Sequence, residues 1–320
     1  MKRLVFLFII LSVCVSLHAQ TFSYLQLVAD HQQKSFPESI PAGNYSGITA
    51  IGENLYAVVD DKRGDGFYIV HIDFADDGDI VSIQNLGFRG DSLRNRDAEG
   101  IVCFPSLNTV FISGEEDNKV VEYDLEGQQT GRMLEVPDFL QKAKPNRGLE
   151  SLAYNAQTHL FWTTTESPLS GDSIHVLCSF NERLQLQDKV EYSMDAPIAD
   201  EVSETHVHGI SEMTALDDGS LLILEREVLI PEEKFGAWVN CKLYQFVPNA
   251  NVSKHLIHEW KTDISLFHQD FANYEGMCLG PKLKDGSQVF LLVADSQHRY
   301  MGVLSDWFKT LVVRNVENKQ

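Results

Sequence analysis

Basic residues are scarce in this chain: 26 Lys and Arg stand against 46 Asp and Glu in 320 residues, a formal net charge of −20. That deficit argues against nucleic acid and anionic membrane surfaces as partners. A small anionic substrate would need a bound cation or a local basic pocket. Cysteine is rare as well. Outside the N-terminal run that holds Cys14, Cys103, Cys178, Cys241 and Cys278 match no metal-binding spacing. They read as small buried hydrophobes, with a disulfide left open if the chain is exported.

Several motifs are missing too. There is no Walker loop and no Cys-x-x-Cys pair, and Gly209-Ile210-Ser211-Glu212-Met213 lacks the second glycine of a nucleophile elbow. Asp76-Asp77-Gly78-Asp79 lacks the later glutamate of an EF-hand loop and reads as a hairpin turn. No long amphipathic helix is apparent; Pro137 to Ala143 predicts one turn or two.

One uninterrupted apolar stretch opens the chain. Lys2-Arg3, then Leu4 to Val15, then Leu17-His18-Ala19 read as a secretory signal over residues 1–19. The stretch is too short for a membrane span, and Val13 is bulky for a lipobox before Cys14. The expectation is a secreted or periplasmic protein with no membrane span after cleavage, and residues 20–320 as one β domain. Loss of Lys2 and Arg3 leaves 24 basic residues against 46 acidic ones, a net charge of −22.

What is present is a repeat. The clearest copy is His208 to Arg226: a glycine turn, a short strand, an Asp-Asp-Gly turn, then Leu221-Leu222-Ile223-Leu224 stopping at Glu225-Arg226. Such a bounded apolar run suits a strand buried on both faces. Similar units place core strands at Leu55 to Val59, Val110 to Ser113, Leu160 to Thr163 and Phe290 to Val293. Outer strands follow at Tyr68 to Phe74, Val120 to Leu125, His175 to Phe180 and Lys242 to Val247. The unit glycines are Gly47, Gly100, Gly148, Gly209 and Gly276, which lie 53, 48, 61 and 67 residues apart by their numbering.

A period near 50 residues with several strands per unit predicts an all-β β-propeller. Each sheet needs neighbours on both faces, so the units must stack around an axis. The leftover termini, Phe22 to Val28 and Met301 to Val313, are expected to pair as a sixth blade; five or seven blades are the alternatives. A β-sandwich is the rival architecture, but it has no reason to repeat glycine, core strand and terminal acid five times.

Acids mark equivalent places. Asp60-Asp61, Glu115-Glu116, Glu166, Glu225 and Asp295 end the core strands, and Glu99, Glu150, Glu212 and Glu275 lie beside the glycines. In a propeller, equivalent positions form rings about the axis. A like-charged pair at ~4 Å costs roughly 1 kcal/mol in water and ~4 kcal/mol at an effective dielectric of 20. Water, Arg or Lys partners, or a cation must compensate. Oxygen donors without thiolate favour Ca²⁺ over Zn²⁺ or Mg²⁺. The candidate metal set is Asp61, Glu99, Glu150, Glu166, Glu212, Glu225, Glu275 and Asp295. The alternative is that these acids cap turns or pair with Lys62, Arg147 and Arg226. Arg147 and Arg226 offer forked donors to an anion, and Glu150 and Glu225 are candidate general bases. His206 and His208 share one side of a strand, as a metal pair would, but no third ligand is identifiable.

Asn146-Arg147-Gly148-Leu149-Glu150-Ser151-Leu152-Ala153 with Thr165-Glu166-Ser167-Pro168-Leu169 resembles the phytase-like family, whose description is esterase-like activity of phytase. Gly209-Ile210-Ser211-Glu212 with Leu224-Glu225-Arg226, and Asn273-Tyr274-Glu275-Gly276-Met277 with Val293-Ala294-Asp295-Ser296, resemble it as well. Ser46-Gly47-Ile48 and Asp97-Ala98-Glu99-Gly100 are also similar to the related SdiA-regulated propellers. The resemblance covers about residues 40 to 300. It implies a secreted or periplasmic propeller with phosphoester or ester hydrolysis. Ser151 departs from it, since the family commonly has a second glycine there, and so does Ser296-Gln297, where an acidic-Asn pair is more usual.

The leading expectation is therefore an exported, calcium-dependent hydrolase of phosphoesters or related esters. A non-catalytic propeller that binds a ligand or protein is the second. A lactonase-type calcium hydrolase is the third, and it would add Asn44, Asn146 or Asn273 to the ligands.

Overall fold

The computed structural model describes residues 23–317 except 145–146, 200–204, 233, 249–253 and 266–268. The signal expected over residues 1–19, and Asn146, lie outside the described residues.

Five antiparallel sheets form in chain order. Ahead of them come β1 (Ser23–Asp30) and the two-residue β2 (Lys34–Ser35). Blade 1 is β3 (Tyr45–Gly52), β4 (Leu55–Asp60), β5 (Asp65–Phe74) and β6 (Ile80–Asp91). Blade 2 is β7 (Ala98–Phe104), β8 (Thr109–Gly114), β9 (Lys119–Asp124) and β10 (Gln129–Met133). Blade 3 is β11 (Leu149–Asn155), β12 (Leu160–Thr165), β13 (His175–Asn181) and β14 (Leu186–Tyr192). Blade 4 is β15 (Thr205–Ala215), β16 (Leu221–Ile230), β17 (Trp238–Phe246) and β18 (Lys254–Asp263). Blade 5 runs β19 (Asn273–Lys282), β20 (Gln288–Asp295) and β21 (Trp307–Glu317), with β1 as its fourth strand and β2 paired to β21.

The protein is thus an all-β propeller, with five blades among the described residues. The two chain ends do pair, Leu27 against Val313 and Leu25 against Asn315. They complete the fifth sheet instead of making the expected sixth. Two short segments could not cover a blade of their own, whereas β20 already offered an open edge. Pro137 to Ala143 holds one 3-10 turn, Leu140–Lys142.

The core lies between the sheets. Side chains alternate faces along a strand, so Leu221 and Ile223 pack toward blade 3 with Trp162 and Leu177, while Leu222 and Leu224 pack toward blade 5 with Phe290 and Leu292. Comparable clusters join blades 5 and 1 through Leu291 and Val58, blades 1 and 2 through Val59 and Val110, and blades 2 and 3 through Phe111 and Phe161. Every sheet is covered on both faces, and β19 returns to β3 to close the ring. All four cysteines of the described residues are free thiols, as the hydrophobe reading expects.

The innermost strands of blades 1, 2, 4 and 5 carry the unit glycine, so there the expected glycine turns are strands; in blade 3, Gly148 is a bend just before β11. Each innermost strand has a β-bulge. Ser46 is the extra residue in β3, Glu150 in β11, Ser211 in β15 and Glu275 in β19, and in β7 Glu99-Gly100 oppose Ser113. A bulge re-aims a side chain, and here it does so at one end of the axis.

Candidate active site at the propeller mouth

Register defines three tiers around the mouth. The extra residues of the bulges give Ser46, Glu99, Glu150, Ser211 and Glu275. One position inward come Gly47, Gly100, Ser151, Glu212 and Gly276. At the strand ends, Asp61 N–H bonds Asn44 O, Glu115 N–H bonds Asp97 O, Glu166 N–H bonds Gly148 O, and Arg226 and Asp295 pair with Gly209 and Asn273. The strand-end ring is therefore Asp61, Glu115, Glu166, Arg226 and Asp295.

Blade 4 departs from the others twice. It places Arg226 where the remaining blades place an acid. It also places Glu212 where three blades have glycine. At Gly47 a Cβ would lie 2.3 Å from Glu99 O, so the inner tier is too tight for a side chain at that blade.

Arg226 is the counter-charge of the mouth. It is 4% exposed. Its Nη1 donates to Glu275 Oε1 at 2.5 Å and Asn273 Oδ1 at 3.0 Å, and its Nη2 to Glu166 Oε1 at 2.7 Å, with Glu150 Oε1 at 3.8 Å. Arg147, near the rim, pairs with the other oxygen of Glu166. On the blade 1 side, Lys62 Nζ lies 2.7 Å from both Asp61 Oδ2 and Asp97 Oδ1.

The acids still outnumber these cations, and burial makes that costly. Burial raises the Glu99 carboxyl well above its usual range, helped by the charges of Glu150, Glu275 and Asp61. Burial also raises Glu150, with Glu166 adding to the effect and Arg226 opposing it. Burial pushes Glu275 up to about 7 against the pull of Arg226, and Asp295 reinforces the rise. Asp295 itself is pushed up to about 7 by burial and the Asp61 charge, against the Gln297 N–H. Asp61 is pushed up to about 7 by burial, against Lys62 and with Glu275 and Asp97.

One corner suits a metal ion. An oxygen from each of Asp61, Asp97 and Glu99 lies within 4.8 Å of the others. Two oxygens on one Ca²⁺, each bound at roughly 2.3–2.6 Å, can be no more than about 5 Å apart. Asp61 Oδ1 is buried without a hydrogen-bond partner, and so is Asn44 Oδ1. The donors are hard oxygens, which fits Ca²⁺.

The predicted site residues divide. Asp61, Glu99, Glu150, Glu166, Glu275 and Asp295 meet at the mouth, together with Arg147 and Arg226. Glu225 does not. Being one residue before Arg226, it faces blade 3, accepting there from Tyr192 OH at 2.7 Å and, from its own blade's β18, from Lys254 Nζ at 2.6 Å. Glu212 is displaced as well. It lies one tier inward at 1% exposure, and its Oε1 accepts from Leu152 N–H at 3.1 Å and Met213 N–H at 2.9 Å. Burial raises its carboxyl, opposed by those bonds and one from Met277. Glu212 thus ties blades 3, 4 and 5 together across the axis and is no mouth ligand. His206 pairs with Glu227 at 2.9 Å, which accounts for it without a metal.

Asp97 and Glu115 belong to the site and were not singled out by sequence reasoning as ligands. Asp97 has a left-handed φ of 54°, a conformation that no spacing rule reveals. Glu115 was legible as a strand-ending acid; its Oε1 accepts from Gly148 N–H at 2.8 Å.

Among the described residues, no helix is long and apolar enough to cross a membrane. No curated protein sequence matches the chain. Among solved structures, it is similar to a member of the DUF4221 family from Bacteroides vulgatus, at TM-score 0.46 and 9% identity, covering 92% of this chain and 99% of that one. It is similar to a streptogramin B lyase at TM-score 0.40 and 12% identity, covering 91% and 98%. It is also similar to the WD40 β-propeller domain of Doa1, at TM-score 0.38 and 8% identity, covering 91% and 97%. Residues 40–298 match the family described as phytase-like, esterase-like activity of phytase. That span includes all five bulged strands and every acid of the mouth, and the chain is a member of the phytase-like family.

Proposed function

We propose that the mouth is a calcium-dependent hydrolytic site for phosphoesters or related esters. The observation that carries this reading is the gathering of Asp61, Asp97 and Glu99 within 4.8 Å, beside further buried acids that Arg226 alone cannot neutralise. Asp61, Asp97 and Glu99 would hold the ion, with Asn44 Oδ1 a nearby neutral donor. A bound Ca²⁺ would supply Lewis acidity and lower the pKa of a water.

The chain's own groups have separate tasks. Asp295 and Glu275, both raised to about 7, are poised to take or give a proton near neutral pH. Asp295 is the better placed, because Glu275 is held by Arg226 and Asn273. Arg226 has both terminal nitrogens engaged and serves to position Glu166 and Glu275. Arg147, with its side chain 31% exposed, is the cation left to steady an anionic group. Glu225 has no part in the reaction. Assays with phytate, p-nitrophenyl phosphate and p-nitrophenyl acetate, with EDTA and after Ca²⁺ restoration, test the reading. Turnover that EDTA abolishes and Ca²⁺ restores is expected. Absence of turnover on every substrate removes it.

The lactonase-type version has a specific point in its favour. Asn44, which such a site would use beside its acids, has its Oδ1 buried and unpartnered next to Asp61. An Asn44→Ala variant that keeps its Ca²⁺ affinity would count against that version.

A further inference from the structure

A second concavity opens beside the mouth, between blades 4 and 5. Its volume is about 420 Å³, and Asn273 and Asp295 are part of its lining. The same two residues border the acidic site, so the two sites share a wall. Apart from Lys234 and Gln297 at its edge and the Tyr300 hydroxyl, the rest of the lining is apolar, with Val228, Phe235, Phe271 and Met301 among it. Phe235 is 56% exposed and Met301 80% exposed. Exposed side chains of this size beside a concave apolar surface mark a binding site more often than a packing defect.

The walls are built to stay where they are. The segment after Asp295 carries left-handed φ values at Gln297 (48°), His298 (55°), Arg299 (54°) and Met301 (51°). Such conformations cost free energy and persist only where surroundings enforce them. Here Asp306 does so, taking Ser296 Oγ at 2.5 Å and Arg299 Nε at 2.5 Å. Across the opening, Lys234 Nζ donates to Tyr300 OH at 2.7 Å, joining the two walls.

Charge narrows the ligand. A polyanion would meet a chain of net charge −20 and a mouth whose buried arginine already has both terminal nitrogens on carboxylates. A neutral molecule meets no such barrier. We propose that this cavity is an apolar subsite that selects neutral carboxylic esters or lactones bearing an alkyl or aryl group, the carbonyl lying at Asp295 and Asn273. The proposal rests on the hydrolase reading for its chemistry, but the binding it requires is measurable without turnover.

The test compares p-nitrophenyl acetate, butanoate and octanoate with p-nitrophenyl phosphate, using the Ca²⁺-loaded full chain. Each buried methylene should raise kcat/KM roughly three- to fourfold until the cavity is filled. Phe235→Ser and Met301→Ser, at exposed positions where folding is not at stake, should collapse the octanoate-to-acetate ratio about tenfold. In parallel, decan-2-one, a neutral ketone that cannot be hydrolysed, should displace Nile red, with Kd weakened about tenfold in both variants. An acetate rate equal to the octanoate rate and unmoved by the variants overturns the subsite while leaving the hydrolase. If no ester is turned over, ketone binding weakened by the variants still supports the subsite, and absent binding overturns it.

Discussion

Blade 4 and the other four blades solve one geometric problem in opposite ways. Blades 1, 2, 3 and 5 bring Asp61, Glu115, Glu166 and Asp295 to the strand-end ring, and blade 4 brings Arg226. One tier inward, glycine lets innermost strands approach closely at Gly47, Gly100 and Gly276, whereas Glu212 occupies the space with a carboxyl bonded to backbone. The lesson is that a repeat fold gains a site by breaking its own repeat. Four equal acids would only repel; the odd blade makes their convergence tolerable.

The sharpest way to break that contrast is to remove the odd charge. Arg226→Gln leaves Glu166 and Glu275 without their shared partner, which should cost about 3–5 kcal/mol. Denaturant unfolding at pH 8 in EDTA measures it, and a loss below about 1 kcal/mol would show that Arg226 is dispensable. Next in size is Gly47→Ala, whose Cβ would sit 2.3 Å from Glu99 O; about 2–4 kcal/mol is expected. Ser151→Gly, which makes blade 3 like blades 1, 2 and 5, should change stability by less than about 1 kcal/mol.

A smaller effect comes from titration. Asp61, Glu275 and Asp295 have folded-state pKa values raised to about 7. A raised carboxyl binds its proton more tightly folded than unfolded, so its stabilising share is present at low pH and lost as pH rises. In EDTA the Tm should therefore fall by roughly 5 °C or more between about pH 4.5 and pH 7.5. Saturating Ca²⁺ should flatten that fall, and a Tm that rises over this range would contradict the buried-acid account. The smallest contrast separates neighbours at the end of one strand system from another. Asp61→Asn should weaken Ca²⁺ binding at least about tenfold, read by calorimetry, while Glu225→Gln should leave it unchanged and only lower Tm.

Much of this was legible in the sequence. The five core strands, the propeller and most of the mouth acids follow from apolar runs that stop at acids. The misreading at blade 4 has a simple cause. Glu225 and Arg226 are adjacent, and adjacent strand residues face opposite ways, so choosing the acid by type selected the wrong face. Gly148 and Gly209 misled in the same manner. They belong to the tier of Asn44, Asp97 and Asn273, and the true counterparts of Gly47 are Ser151 and Glu212. Bulges cause the slip, because an extra residue leaves no mark in composition. The fourth strands β6, β10, β14 and β18 escaped notice because their outer position leaves them partly exposed, without a continuous apolar run.

The pairing of β1 with β21 has a kinetic side. Leu27 and Val313 meet across nearly the whole length of the chain, and contacts so distant in sequence form late and slowly. Until both ends are at hand, β21 has a bare flank and the circle cannot be latched. A nascent chain therefore cannot close the ring before β21 has been made, and removing β1 would unfasten the whole circuit.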